Sequence, residues 1–371
     1  MIMKKETYEK PTITAVEHDN VRKYLFPFSE KEKEELKEII EQLPETIIDF
    51  HSHIGPIESV KESAKTEEWG DVFNHHEMES LFRHNAILSG ALTRSPARKV
   101  QKVVFAIPHS NVDYKKVDDY IRKNLKESAD GFIPFLIVNN FNAETIKETA
   151  ENLRSGFYRG LKAYPTTSKE KAQSLIGENE LLPEKILQIA DERELPIVMH
   201  LPRHLYNHLD ELKKLSADYP NTKFVLAHMG LARLATPNSR KALAEVLALP
   251  NVYCETSTVT DPKVFEFALA HDGADKLIFG SDAPFDAMRI ETKFEQGKMK
   301  FATSEDLPEL EKSQKQLDRW LLGSLKALLT AIHNIYPDDE EAKTVIEKIF
   351  YSNGFEVLER FRELEIERLR D

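Results

Sequence analysis

The chain has 371 residues, 41% of them hydrophobic and 31% charged, with a formal net charge of −12. That balance suits a globular protein with a large core, and it argues against a general nucleic-acid surface or attraction to anionic membranes. A single cysteine, Cys254, excludes an intramolecular disulfide and a cysteine-rich zinc module.

Residues 1–45 are polar and charged. The first residues lack the apolar core of a leader, and no run reaches the roughly 18–20 apolar residues of a membrane span, so a cytoplasmic protein is expected. Ser29 is placed to cap an amphipathic helix running to Gln42. We expect one domain over 1–371, with 1–45 as a helical lead-in and 285–371 as a post-barrel excursion with terminal helices.

Ile47 to His53 then reads as an apolar strand ending in a His-x-His pair. Alternation along a strand points His51 and His53 the same way, about 7 Å apart, with Asp49 one step below on that face. Two imidazoles so placed can converge on one cation. A long polar stretch follows, from Glu58 to about Lys99, and is expected to carry helices near the site. Its His75, His76 and His84 read better as exposed or packing histidines than as ligands.

Strands and helices alternate from there. Strands are expected at Lys102–Ile107, Phe132–Val138, Tyr158–Ala163, Pro196–His200, Lys223–His228, Val252–Glu255 and Lys276–Ser281. Helices are expected at Val112–Ser128, Ala143–Ser155, Glu180–Glu194 with Pro183 in its first turn, His204–Tyr219, Arg240–Leu249 and Pro262–His271. With the opening strand this gives eight short apolar strands, the pattern of a parallel sheet buried on both faces. Eight of them separated by helices fit a (β/α)8 TIM barrel, an α/β fold, with a long insertion after strand 1. Past Asp282 the pattern breaks into an irregular stretch at 285–310, a helix over 311–333, and a mostly helical segment over 342–370 interrupted at Ser352-Asn353-Gly354.

In such a barrel the chemistry sits at the C-terminal ends of the strands. Those ends carry His51, His53, Lys162, His200, His228, Glu255 and Asp282, a set that core packing does not explain. Other candidates weigh less. His204 and His208 have the i, i+4 spacing of helical zinc proteases, but Leu205 stands where those enzymes place a glutamate. Arg203 suits an anion grip or a surface position, and Tyr164 and Thr256-Ser257-Thr258 suit a pocket lining or ordinary loops. Cys254 alternates away from Glu255 and is set aside as a nucleophile.

The ordered set Asp49-Phe-His-Ser-His53, Gly160-Leu-Lys-Ala-Tyr-Pro165, Val198-Met-His200, Ala227-His-Met-Gly230 and Ile278-Phe-Gly-Ser-Asp-Ala-Pro284 resembles the amidohydrolase superfamily. The last motif, with Tyr351-Ser-Asn-Gly354, is similar to the amidohydrolase-2 branch that contains aminocarboxymuconate semialdehyde decarboxylase. The resemblance implies that His51, His53, His200 and Asp282 bind zinc or another divalent transition metal, one ion or two. It implies that Asp282 takes a proton from the attacking water, and that His228 orients water and substrate or binds a second ion. The context of Lys162 resembles the carboxylated, metal-bridging lysine of dihydroorotase; the other reading is an ammonium paired with a substrate carboxylate or with Glu255.

The function so implied is hydrolysis of an amide, lactone or ester bond of a small molecule by a metal-activated water. The alternative is a metal-dependent decarboxylase or hydratase of an unsaturated or aromatic acid. A barrel keeping its metal only for stability fits less well, because a purely structural site would not require both Asp282 and His228. No nucleic-acid or membrane partner is expected, and a homo-oligomer is compatible with the resemblance.

Overall fold

Parallel pairing carries the chain around a closed ring. The computed structural model describes residues 28–61, 76–125, 131–140, 142–167, 171–288, 291–295, 298–302 and 319–359. Strand β1 (Thr46–His53) pairs with β2 (Lys99–Phe105), and β2 with β3 (Phe132–Pro134). Beyond Phe135 the same strand resumes as β4 (Leu136–Ile137), which starts a parallel ladder through β5 (Leu161–Ala163), β6 (Ile197–Met199), β7 (Phe224–Leu226), β8 (Val252–Glu255) and β9 (Leu277–Ile278). Two backbone bonds bridge the β3–β4 step: Phe135 N donates to Val104 O at 2.8 Å and Leu136 N to Gly160 O at 2.9 Å. Phe50 N to Phe279 O at 2.9 Å, Asp282 N to His51 O at 2.8 Å and the Ser52–Ala283 bridge close the ring. The result is a (β/α)8 barrel in which β3 and β4 form one strand.

Helix α1 (Glu30–Gln42) precedes the barrel, and α2 (Met78–Leu88) lies in the long connection from β1 to β2. Helices α3 (Tyr114–Leu125), α4 (Ala143–Arg154), α5 (Glu184–Glu192), α6 (Leu209–Asp218), α7 (Pro237–Leu247) and α8 (Pro262–Leu269) separate the later strands. Their starts follow from local chemistry. Ser29 and Glu32 form the reciprocal capping box of α1, Asn142 caps α4, and Thr236 and Asp261 cap α7 and α8 just ahead of Pro237 and Pro262. Pro183 is the residue before α5 rather than part of its first turn. No described helix is long and apolar enough to cross a membrane.

After β9, the stretch expected to be irregular contains an antiparallel hairpin, β10 (Glu291–Glu295) with β11 (Lys298–Ala302). Helix α9 (Trp320–Ile335) then packs on α8 and α1, with the buried Arg319–Glu32 pair beside its first residue. The expected break at Ser352–Gly354 is instead a π turn, Lys348–Ser352, that joins α10 (Asp339–Glu347) to α11 (Asn353–Leu358) without interruption. Residues 126–128, 311–318 and 360–370 of the expected helices lie outside the described residues. Ile48, Phe50, Val103, Phe105, Val198, Val225 and Ile278 fill the barrel interior, and Val357 and Leu358 of α11 pack into the same cluster.

One reading of β1 needs correction. The register slips between Asp49 and Ser52, a β-bulge, so Ile48 and Phe50 point inward below the inward-facing His51 and His53. Asp49 therefore does not share the histidine face. It is buried with the fully buried Lys102, and it accepts from Ser281 N at 2.8 Å and Ser281 Oγ at 2.6 Å. Lys102 opposes its desolvation and holds the carboxyl below its usual range. Lys102→Met strands that carboxylate, and we expect a loss of about 3–5 kcal/mol in urea unfolding. A loss well under 1 kcal/mol would mean that the Ser281 donors suffice.

Candidate metal and catalytic site

Six strand ends deliver the parts of the site. A cavity of about 240 Å³ at the C-terminal mouth is lined by His51 and His53 from β1, His109 after β2, Tyr164 after β5, His200 after β6, His228 and Arg233 after β7, and Asp282 and Phe285 after β9. Trp320 of α9 completes its wall. Trp320 is fixed there by its indole N–H, which donates to Thr258 O at 3.0 Å.

Partners at Nδ1 orient the four histidine rings. His51 Nδ1 donates to Glu255 Oε2 at 2.9 Å, and His200 Nδ1 to Leu201 O at 3.0 Å. His53 Nδ1 faces Ala106 O at 3.3 Å. His228 Nδ1 faces Ser257 Oγ at 2.8 Å, and that hydroxyl in turn donates to Glu255 Oε2 at 2.9 Å. Nδ1 of His51 and His200 thus carries the hydrogen, which leaves His51 Nε2 as an acceptor, while His53 Nε2 pairs with Asp282 Oδ1 at 3.1 Å. Burial holds His51, His200 and His228 well below the ordinary histidine range, which keeps them neutral.

Asp282 stands among those Nε2 atoms. Its Oδ1 lies 3.2 Å from His51 Nε2 and 3.1 Å from His53 Nε2, and its Oδ2 lies 4.0 Å from His228 Nε2. Imidazole nitrogens and a carboxylate converging at that range make a donor set that a cation can occupy. Donor atoms of His51, His228 and Asp282 all lie within 4.8 Å of one another, a group able to hold an ion. His53 adjoins the group through Asp282. His200 stands further out, its ring centroid 5.2 Å from that of His228 and 4.3 Å from that of Tyr164. The donor set fits a divalent metal: neutral imidazole nitrogens and one carboxylate.

Behind this layer sits Glu255, fully buried. It accepts from His51 Nδ1, from the backbone N–H and hydroxyl of Ser257, and from His228 N at 3.1 Å. Burial pushes its carboxyl upward against those donors. Gly280 makes room for it, since a Cβ there would overlap the Glu255 carboxylate. His228, Met229 and Gly230 all take positive φ, a tight left-handed turn that aims the His228 ring across the mouth. Lys162 Nζ lies 3.1 Å from His51 Nε2 and 4.7 Å from the centre of the Phe105 ring. Burial lowers its pKa to about 8. No direct ion pair joins Lys162 to Glu255 among the described contacts; the lysine faces the ligand atoms.

The secondary candidates sort themselves by environment. His204 and His208 do not share a helix, because a short turn at Leu205–Asn207 ends just before α6. His204 is exposed, and His208 is buried against Glu211. Arg203 is exposed and donates to Gln173. Cys254 is buried, its thiol pushed up to about 12. His76 and His84 are buried packing residues, and His75 lies outside the described residues. His84 bonds Asp286, tying α2 to the segment whose Phe285 ring packs 5.3 Å from His53. Sequence reasoning missed Arg233 and Trp320 as lining residues: neither sits at a strand end, where the search was made.

The chain belongs to the amidohydrolase family: residues 48–323 match the model described as Amidohydrolase (Amidohydro_2). No curated protein sequence matches it. Among solved structures it is similar to an uncharacterised TIM-barrel protein from Bordetella bronchiseptica, at 14% identity and TM-score 0.55, covering 85% of this chain and 99% of that one. It is similar to an amidohydrolase from Burkholderia multivorans with bound zinc, at 13% identity and TM-score 0.52, covering 84% and 99%. A third is a dihydroxybenzoic acid decarboxylase from Polaromonas sp. JS666 with bound manganese and the inhibitor 2-nitroresorcinol, at 12% identity and TM-score 0.51, covering 85% and 97%. These likenesses support the fold.

Two outcomes follow. Glu255→Gln removes the anionic acceptor that fixes His51, so metal affinity measured by chelator competition should fall about 10–100-fold; an unchanged affinity would assign Glu255 to packing alone. The second concerns pH. Three histidines with folded values well below 6.5 bind fewer protons than the unfolded chain, so they withdraw stability as pH falls below 6.5. Glu255, raised, works in the opposite direction but is a single group. Metal-free protein should therefore lose up to about 3 kcal/mol per pH unit below pH 6.5 in urea titrations, and a flat profile from pH 7.5 to 5.5 would contradict the assigned neutral rings.

Proposed function

We propose that the chain is a metal-dependent enzyme acting on a small molecule, and that hydrolysis of an amide, lactone or ester bond is its reaction. The observation that carries this is the cluster of imidazole nitrogens around Asp282 at the mouth of the barrel. His51, His53, His228 and Asp282 would hold a divalent transition ion such as zinc or manganese, with His200 beside them. When bound, such an ion lowers the pKa of water towards about 7 and polarises an oxygen of the substrate.

The protein's own groups then divide the work. Asp282, at the centre of the cluster, accepts the proton released when water adds and returns it to the leaving group. His228, held by Ser257 and Thr258, orients the reacting atoms. Glu255 fixes His51 without touching the cavity. Lys162, next to His51 Nε2, either stays an ammonium opposite the carboxylates or carries CO₂ as a further ligand; metal content near one ion per chain supports the first state, and near two the second.

A second reading is decarboxylation or hydration of an unsaturated or aromatic acid. It is favoured by the two cationic side chains at the site, Arg233 and Lys162, and by the decarboxylases among proteins of the same fold. Metal analysis followed by a screen of lactones, amides and carboxylated aromatics separates the two, since only the lyase releases CO₂. In either case Asp282→Asn should lower turnover by about 10²–10⁴-fold. Full activity in that variant on any substrate found removes Asp282 from proton transfer.

A further inference from the structure

A second cavity, of about 250 Å³, lies on the outer wall of the barrel between helices α3 and α4. It is as roomy as the one at the mouth and shares none of its lining residues. Its floor is apolar: Phe135, Leu136 and Ile137 from the strand wall, with Val117 and Ile121 from α3. Its polar lining comes from Tyr114 of α3, Asn139 after β4 and Thr149 of α4, with Glu148 and Glu151 exposed at the edge. At one end Arg122 ties the two helices together. Its Nε donates to Asp118 Oδ2 at 3.0 Å and its Nη2 to Asn152 Oδ1 at 3.1 Å, and Tyr158 bonds the same aspartate. The Asp118 charge is therefore already answered.

The groups left over are acceptors. The Tyr114 hydroxyl donates its hydrogen to His109 O at 2.9 Å, and Thr149 Oγ1 donates to Thr145 O at 2.8 Å. Each keeps only oxygen lone pairs for a guest. Asn139 Oδ1 is buried with no hydrogen-bond partner among the described residues, a costly state for a buried polar atom. Lys115, the basic side chain among the described lining residues, pairs with Asp119 at 2.9 Å. Lys147 stands 3.7 Å from Glu151, whereas Glu148 has no ion pair among the described residues. An anion entering here would face lone pairs and carboxylates. A cationic N–H donor on a compact apolar body is complementary to both the acceptors and the floor.

We propose that this cavity is a second binding site, separate from the mouth of the barrel, for a primary organic ammonium of single-ring size. The ammonium donates to Asn139 Oδ1, Glu148 supplies the counter-charge at the edge, and the apolar body lies against Phe135, Leu136 and Ile137. The site does not depend on the metal reading or on either reaction.

The test uses benzylammonium and its uncharged analogue benzyl alcohol as probes of the full chain, read by calorimetric titration at neutral pH. Benzylammonium should occupy a single site and bind about tenfold more tightly than benzyl alcohol, the worth of one hydrogen bond from a charged donor. Glu148→Lys, a change on the exposed side of α4, should remove most of that preference. Asn139→Leu, which removes the acceptor and keeps the bulk, should do the same. Equal binding of the two probes overturns the proposal, and so does an undiminished preference in either folded variant. If Asn139→Leu does not fold, Glu148→Lys decides alone. Excess zinc should leave the benzylammonium site open; loss of binding on adding zinc would put the probe at Asp282 and overturn the assignment.

Discussion

Asp282 stands among the Nε2 atoms of His51, His53 and His228, and the mouth of this barrel is built to hold it there. Asp282 is fixed by its own backbone, whose N–H donates to His51 O, and the segment Ser281–Ala283 is stitched to β1 on both sides. The histidines are fixed from behind through Nδ1, by Glu255, Ser257 and two carbonyls. Neither side can relax without breaking bonds that close the barrel. The site is thus preorganised for a positive ion, and ring closure holds it ready for one.

Seen this way, several buried polar groups have a common purpose. Glu255 occupies space that a side chain at position 280 would fill, and it joins β7, β8 and β1 through its acceptors. Asp49 and Lys102 do the same on the outer face of β1, where they anchor Ser281 next to Asp282. His84 and Asp286 pin the insertion after β1 to the segment carrying Phe285. These contacts are costly to bury singly and persist because each fixes a strand end that chemistry requires in one position.

Much of this was legible in the sequence. Near-continuous apolar runs alternating with helices gave the eight barrel strands, and polar residues at their exits gave His51, His53, Lys162, His200, His228 and Asp282 as a set. What escaped has physical causes. Strict alternation placed Asp49 with the histidines, but a bulge adds one residue to β1 and exchanges Asp49 for Phe50 on the inner face; nothing local in Asp-Phe-His announces it. The His204–His208 spacing looked helical because no glycine or proline marks the turn that separates them. Asn and Gly at 353–354 suggested a stop, yet a π turn absorbs the change of direction and Gly354 lies where the helix passes Ile48 and Phe50. Arg233 and Trp320 owe their position to loop and helix docking, which periodicity does not encode.

The segment after β9 has a consequence for how the molecule comes into being. It contributes Trp320 to the rim at one end of the barrel and Val357 and Leu358 to the interior at the other. Asp282 reaches His53 across 229 positions of chain. During synthesis, a ribosome must therefore release the stretch bearing α11 before the first strand gains its final neighbours. Until the segment 279–283 emerges, β1 has an open edge and its histidines lack their counter-group. Assembly of the catalytic end is a late, long-range event, slow by the logic of loop closure, and the nascent barrel stays vulnerable to mispairing along that edge until β9 and the residues after it arrive.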